Sequence, residues 1–189
     1  MRDCVIFRIS PVDIVVAVVY IPPSNSKYST PEYMQNLQTI LDHYKDTPAY
    51  IAEDINSRYG ELPPTDGKTM CTPNPDKVMN SNGRIVTRIL REEIDFLIMN
   101  GLNMGTLKHD CDFTFFRGDL CSQIDIVITN RPKYVSSFHL LPKNIYSDHK
   151  PVAINITAKK KVSLEVVAEC AANLFEYKHY DVNRKIKEQ

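Results

Sequence analysis

The feature that most constrains the fold is an unbroken apolar segment near the start of the sequence. Residues 14–19 are all β-branched or alanine, and Tyr20 ends the run. A continuous run of this kind is typical of a strand that is buried on both faces. Pro22 and Pro23 stop it, because proline has no amide hydrogen to donate to a strand ladder. Residues 13–21 are therefore predicted to form a strand inside a sheet that is covered on both sides.

The remaining sequence alternates between strand-like and helix-like segments and then becomes rich in strands. Further strands are predicted at 4–9, 48–52, 113–116, 123–129, 135–141 and 151–157. Helical patterns cover 31–44, with Ser29 or Thr30 as the cap, 84–100, closed by Gly101, and 162–175. The proline-rich stretch after Asn56 is predicted to be a surface loop. This order favours an α/β (α+β) layered sandwich over an all-β fold.

Length and composition limit the class of protein. The 189 residues suffice for one domain with a hydrophobic core. Lys+Arg and Asp+Glu both number 23, so there is no basic excess of the kind common in nucleic-acid binders, although an enzyme can place a basic strip beside an acidic metal site. No apolar run could span a bilayer, and the five cysteines show no zinc spacing. An intracellular protein with free thiols is expected, without a membrane partner.

Four polar islands lie at the ends of predicted strands, where side chains from different strands can converge on a ligand. A carboxylate beside a carboxamide suits a site that activates water and steadies a phosphate oxygen. An Asp-His pair offers a hard ligand for Mg²⁺ or Mn²⁺ and an imidazole that can handle a proton. Each island alone also fits an ordinary turn or a satisfied core residue. The candidates are Tyr20, Asp54, Asn56, Asp125, Asp148 and His149.

The ordered set resembles the endonuclease/exonuclease/phosphatase superfamily, and in particular the apurinic-type endonuclease domain of non-LTR (LINE-like) retrotransposons. The motifs that carry the resemblance are Tyr20-Ile21-Pro22-Pro23-Ser24, Glu53-Asp54-Ile55-Asn56-Ser57-Arg58, Ser122-x-Ile124-Asp125 and Ser147-Asp148-His149. Asn80-Ser81-Asn82-Gly83-Arg84, Asn100-Gly101 and Phe113-Thr114-Phe115 also fit that subgroup. The similarity covers roughly residues 4–158.

The resemblance implies a DNase I-like fold, in which two α/β halves pack their sheets face to face. Residues 1–158 would be the C-terminal portion of this domain, and 159–189 a helical or flexible tail that could serve as a linker. The family's earlier half, which supplies an Asn and a metal-binding Glu, has no counterpart here. We therefore expect an exposed apolar sheet face, and with it either self-association or poor solubility.

The resemblance also implies a role for each candidate. Asp54 would orient or deprotonate the attacking water, and Asn56 would contact the scissile phosphate. Asp148 would help to hold Mg²⁺ or Mn²⁺. His149 would contact the phosphate, while Asp125 would accept its hydrogen bond and fix its ring.

The resemblance also bears on Tyr20 and Glu53. Tyr20 would touch the phosphate or the leaving group. Glu53 stands where the family usually has glycine. The additional carboxylate would add negative charge, crowd the site or act as a substitute metal ligand.

The implied function is a metal-dependent phosphodiesterase that nicks DNA, acting in the nucleus or the cytoplasm. A catalytically inactive remnant that acts as a binding or structural module is the alternative from a different class. A phosphatase or a lipid phosphodiesterase of the same superfamily is the third possibility.

Overall fold

A computed structural model of the protein describes residues 4–9, 12–60, 76–92, 95–99, 112–157 and 163–168. Its regular elements, in chain order, are β1 (Cys4–Ile9), β2 (Ile14–Tyr20), α1 (Glu32–Tyr44), β3 (Ala49–Asp54), α2 (Ser81–Glu92), β4 (Leu97–Met99), β5 (Phe115–Arg117), β6 (Leu120–Ser122), β7 (Asp125–Thr129), β8 (Val135–Leu140), β9 (Val152–Thr157) and β10 (Ser163–Ala168). Of the predicted surface loop, residues 61–75 lie outside the described residues, as do Asn100 and Gly101.

The strands form two main sheets and a hairpin. A five-stranded sheet has the order β1-β2-β3-β7-β4, in which only β2 and β3 run parallel. An antiparallel three-stranded sheet has the order β10-β9-β8, and β5 pairs with β6. The predicted two-sided strand is confirmed, since Ile14, Val15, Val16 and Ala17 are all buried.

Strand alternation divides the apolar side chains between two cores. On one face of the five-stranded sheet, Val15 and Ile51 pack with Leu37 of α1 and Leu90 of α2. The second core lies on the opposite face, and its buried members include Val16, Tyr50, Val127, Phe138 and Ile154. The fold is therefore the predicted α/β sandwich, with helices outside one sheet and a second sheet on its other side.

Helix α1 is amphipathic, but it does not begin as predicted. Its buried side chains, Met34, Leu37, Ile40 and Leu41, recur at helical spacing. Pro31 occupies the cap position, and no side chain in the described structure caps this helix, so the prediction of a Ser29 or Thr30 cap is wrong.

The prediction of one long helix over 84–100 is also wrong in its second half. Helix α2 ends at Glu92, and Leu97–Met99 form an edge strand paired with β7. Ile98 is buried in the core under the helices, whereas Met99 is buried in the core between the sheets. Neighbouring residues that are buried on opposite faces fit a strand, since a helix would place them on overlapping sides.

The tail differs from the prediction in the same way. Ser163–Ala168, inside the segment expected to be helical, form β10 and pair antiparallel with Val152–Thr157. The edge of β9, the strand that comes just before it in the sequence, offers ladder partners, and this pairing overrides the helical pattern. The boundary at residue 158 stays a prediction. Neither helix in the described ranges is long and apolar enough to cross a membrane.

Candidate active site

Three of the predicted site residues converge where the inner strands β3 and β7 of the five-stranded sheet meet the loops. Asp54 ends β3, Asp125 begins β7, and the two are directly opposite in the strand register. His149 enters from the segment before β9. One ligand atom from each side chain lies within 4.8 Å of the other two, and all three side chains are buried.

Asp125 orients the imidazole of His149. The Nδ1 atom of His149 lies 3.1 Å and 3.0 Å from the two carboxylate oxygens of Asp125. The ring of Phe115 packs edge-on against the imidazole, with 5.1 Å between the ring centroids. When Nδ1 carries the proton for this hydrogen bond, Nε2 is the nitrogen available to a ligand. The carboxylate–imidazole pairing expected from the resemblance is thus present in the structure.

Thr114 holds this pair in place. Its buried hydroxyl accepts hydrogen bonds from the backbone N–H groups of Ile124 and Asp125, both at 3.1 Å. Its carbonyl oxygen accepts one from the N–H of Lys150, at 2.7 Å. Thr114 therefore connects the start of β7 to the segment that carries His149. The Phe-Thr-Phe motif marked this position in the sequence, although no role could be assigned to it.

The electrostatics of Asp54 suit a proton acceptor. Burial raises its pKa to about 7, with the neighbouring charge of Asp125 as the second cause. The charge of His149 and a hydrogen bond from the backbone N–H of Asn56 act in the opposite direction. A carboxylate with a pKa near neutral pH can both hold and release a proton under cellular conditions.

The imidazole is shifted towards its charged form. Burial by itself lowers the pKa of His149, but the hydrogen bond and charge of Asp125, with contributions from Asp54 and Asp148, raise it overall. A protonated imidazole beside a phosphate would offset developing negative charge.

Asn56 and Tyr20 border the group. The backbone turns sharply at Asn56, where φ is 47°, in the left-handed region that asparagine tolerates. The side-chain amide of Asn56 donates to the carbonyl oxygen of Ile21 at 3.0 Å, which uses one of its two N–H groups. Tyr20 is half-buried and pairs with Asp54 in the parallel register. Both residues therefore lie at the same sheet edge as the three converging side chains.

The start of helix α2 is anchored to this loop through the Asn-Ser-Asn-Gly motif. Asn80 caps the helix by accepting from the N–H of Gly83 at 2.8 Å, and it donates to the carbonyl oxygen of Asn56 at 2.7 Å. Asn82 donates to the carbonyl oxygen of Ile55 at 3.0 Å. A Cβ atom on Gly83 would lie 2.1 Å from the carbonyl oxygen of Arg58, so only glycine fits there.

The structure does not bring the carboxylate of Asp148 into the group. This side chain is partly exposed, and one of its oxygens lies 2.8 Å from Nε of Arg117. The hydrogen bond from Arg117 is the largest cause that lowers the pKa of Asp148. The part of Asp148 in metal binding stays a prediction.

Glu53 lies outside the group as well. Its neighbours in the register, Val19 and Ile126, belong to the core under the helices, which places the Glu53 side chain on the opposite face from Asp54. It is buried, and neither carboxylate oxygen has a hydrogen-bond partner among the described residues. Burial, with the charge of Asp54 as the second cause, raises its pKa well above the ordinary value. The structure gives no support to Glu53 as a substitute metal ligand.

The donor set fits a divalent metal ion. The two carboxylates supply hard oxygen ligands, which suit Mg²⁺ and Mn²⁺. The charge of Asp125 helps to raise the pKa of Asp54, and a cation between them would offset that repulsion.

Known proteins provide an independent comparison. A family model described as endonuclease-reverse transcriptase matches residues 14–153. Similar solved structures include an endonuclease/exonuclease/phosphatase family protein from Leptotrichia buccalis C-1013-b, with 16% identity, a TM-score of 0.51 and coverage of 81% of this chain and 52% of that one. Another, from Bacteroides thetaiotaomicron, has 13% identity, a TM-score of 0.48 and coverage of 88% and 55%. A search of curated proteins finds no significant match.

This chain spans about half the length of the two similar structures. The likeness to the Leptotrichia protein shows a shared fold and confirms the DNase I-like prediction. Because the family model covers most of the sequence, the chain belongs to the endonuclease-reverse transcriptase family, within the endonuclease/exonuclease/phosphatase superfamily.

Proposed function

We propose that the protein is a metal-dependent phosphodiesterase that nicks DNA, derived from a retrotransposon-type endonuclease. The observation that carries this proposal is the buried convergence of Asp54, Asp125 and His149 at one sheet edge. Membership of the family supports the same reaction class. Its place of action would be inside the cell, in the nucleus or the cytoplasm, where the DNA is.

Three side chains divide the chemistry. Asp54, with its pKa near neutral, orients water and accepts its proton as the oxygen attacks phosphorus. The bond from phosphorus to the leaving sugar oxygen breaks in the same displacement, and that oxygen takes up a proton from solvent. His149, held through Nδ1 by Asp125, presents Nε2 to a phosphate oxygen and offsets the charge that develops there. A proton donor that is already oriented costs little reorganisation during the reaction.

Two neighbouring side chains and a metal ion complete the proposed site. The second amide N–H of Asn56 would bind another phosphate oxygen, and Tyr20 would lie beside the phosphate or the leaving group. Mg²⁺ or Mn²⁺ would be held by carboxylate oxygens of the group. Such an ion, when bound, supplies Lewis-acid stabilisation of phosphate charge.

The proposal is tested with supercoiled plasmid in the presence of Mg²⁺ or Mn²⁺. We expect metal-dependent nicking in the wild type and a loss of about 100-fold or more in His149→Ala, the range usual for an acid–base group. His43→Ala is the matched control, because His43 is exposed on α1, and this variant should nick at the wild-type rate.

Either of two results would contradict the proposal. One is nicking that is equal in the wild type and His149→Ala, which would indicate a contaminating nuclease. The other is the absence of nicking with either metal while DNA binding persists. The second result would favour the catalytically inactive binding module.

We also propose self-association through strand β1, which lies at the edge of the described five-stranded sheet. Val5, Ile6 and Phe7 are 55%, 41% and 54% exposed, an unusual apolar surface on an edge strand. Light scattering should show concentration-dependent association that Phe7→Lys reduces. A monomer at high concentration would refute this.

A further inference from the structure

A groove adjoins the candidate active site on its helical side. It has a volume of about 380 Å³ and lies between the loop after β2, the first turns of α1 and the first turns of α2. Ile21 and Asn82 form part of its lining, and both are hydrogen-bonded to the loop that follows Asp54. The groove therefore borders the loop that carries Asn56.

Helix α2, which supplies part of the groove's lining, carries a basic stripe. Arg84, Arg88 and Arg91 are exposed at successive turns of α2, with the i, i+4, i+7 spacing that places them on one face. None of the three forms an ion pair with a described residue, and Arg88 lines the groove itself. The sole carboxylate on α2 is Glu92. Because the chain as a whole has no net charge, this stripe is a local concentration of positive charge.

The remaining lining consists of neutral polar and apolar groups. The hydroxyls of Ser24 and Ser29 and the amide of Gln35 offer hydrogen-bond donors, and Met34 and Ile85 add apolar surface. Short hydroxyls and amides beside arginines are the groups with which proteins hold phosphates and sugars.

We propose that this groove, together with the arginine stripe of α2 that enters it at Arg88, binds the sugar–phosphate backbone of DNA beyond the scissile phosphate. This rests on the proposed function, which identifies DNA as the ligand. The contacts are to the backbone, so they add affinity and register without reading the base sequence.

The test is DNA binding by the full chain as a function of salt, measured by fluorescence anisotropy in EDTA so that no cutting occurs. Each phosphate contact contributes about 0.9 to the slope of log K against log salt. The variant Arg84→Gln/Arg88→Gln/Arg91→Gln should therefore lower the slope by about 2–3 and weaken binding at low salt by roughly tenfold or more. The corresponding triple Arg→Lys variant, which keeps the charges, should retain the slope.

A matched control removes three positive charges from the other end of the sheet. Arg8 lies opposite Val15 at the start of β2, Lys45 precedes β3, and Lys133 follows β7, and all three are exposed. The variant Arg8→Gln/Lys45→Gln/Lys133→Gln should keep a slope within about 0.5 of the wild type, because its charges lie far from the groove.

Several results would overturn the proposal that the groove binds DNA. They are an unchanged slope in the arginine variant, an equal fall in both triple variants, an absence of DNA binding by the wild type, and arginine-dependent binding to phosphatidylserine vesicles in its place. Plasmid nicking separates this from the proposed function. If the protein nicks plasmid but the salt slope is unchanged in the arginine variant, only the proposal that the groove binds DNA is rejected. If the slope depends on the arginines but no nicking occurs, the groove proposal stands and the proposed catalysis is rejected.

Discussion

Replacing Glu53 with leucine should stabilise the protein, and the gain should grow with pH. Glu53 is fully buried among apolar neighbours, and neither of its oxygens has a hydrogen-bond partner in the described structure. An unsatisfied polar group in such a position costs about 1–3 kcal/mol even when it is uncharged. Leucine fills a similar volume without that cost, so Glu53→Leu should gain about this much near pH 5.

The dependence on pH follows from the raised pKa of Glu53 in the folded state. In the unfolded chain this carboxyl titrates near its ordinary value of 4.5, whereas in the folded protein burial and the charge of Asp54 keep it protonated to higher pH. Between those two pKa values the unfolded chain has lost the proton and the folded protein retains it. Stability is therefore lost as pH rises, by about 1.4 kcal/mol per pH unit, and the loss is absent below the unfolded pKa.

Urea unfolding monitored by circular dichroism, in EDTA and from about pH 5 to about pH 8, measures the effect. The free energy of unfolding of Glu53→Leu should exceed that of the wild type by an increasing margin. Glu53→Gln should remove most of this pH dependence with a smaller gain near pH 5. Glu32→Leu, at an exposed position on α1, should change stability by less than about 0.5 kcal/mol. A margin that is constant or shrinks as pH rises would refute the reasoning.

Three further predictions concern the groups that hold the site. Gly83→Ala should lower the free energy of unfolding by about 1–3 kcal/mol, because the new Cβ would overlap the carbonyl oxygen of Arg58, and unchanged stability would refute that close approach. Thr114→Val leaves two buried N–H groups unpaired and should lower the free energy of unfolding by at least about 2 kcal/mol. Thr114→Ser keeps the hydroxyl and should lower it much less, so equal losses in the two variants would show that the hydroxyl is unimportant. Asp125→Asn should lower the pKa of His149, measured by NMR titration, and reduce nicking about 100-fold, and an unchanged pKa would contradict the pairing.

Short-range patterns were sufficient for much of the fold and for the centre of the site. The β-branched run predicted β2, and an apolar strand that ends in a carboxylate predicted the position of Asp54. Asp125 was recognisable because a charged residue interrupts an apolar segment, which requires a partner on folding. The structure identifies that partner as His149.

The helices predicted over 84–100 and 162–175 failed where pairing with another strand decides the conformation. Leu97 and Ile98 continue the helical spacing of α2, yet they form a strand because β7 offers an unpaired edge. The same applies to Ser163–Ala168 beside β9. Neither pairing can be inferred from the helical spacing of the segment itself, because that spacing does not show the strand beside which the segment will lie.

Roles that depend on backbone contacts were also not predictable. Thr114 acts through the amide hydrogens of Ile124 and Asp125, and Gly83 through its distance from a carbonyl oxygen of another loop. The sequence motifs marked both positions, but only three-dimensional proximity shows what each residue does. The pairing of Asp148 with Arg117 is of the same kind.

The strand order also determines when the site can form. Asp54, Asp125 and His149 come from segments that are widely separated along the chain and meet only after β3 has paired with β7 and the segment before β9 has docked. Such long-range pairings carry a large loop-closure cost and tend to form late in folding. During synthesis His149 must leave the ribosome before the three side chains can meet, so a nascent chain lacks this group until the segment before β9 has emerged. The imidazole signal of His149 would accordingly serve as a reporter of completed folding.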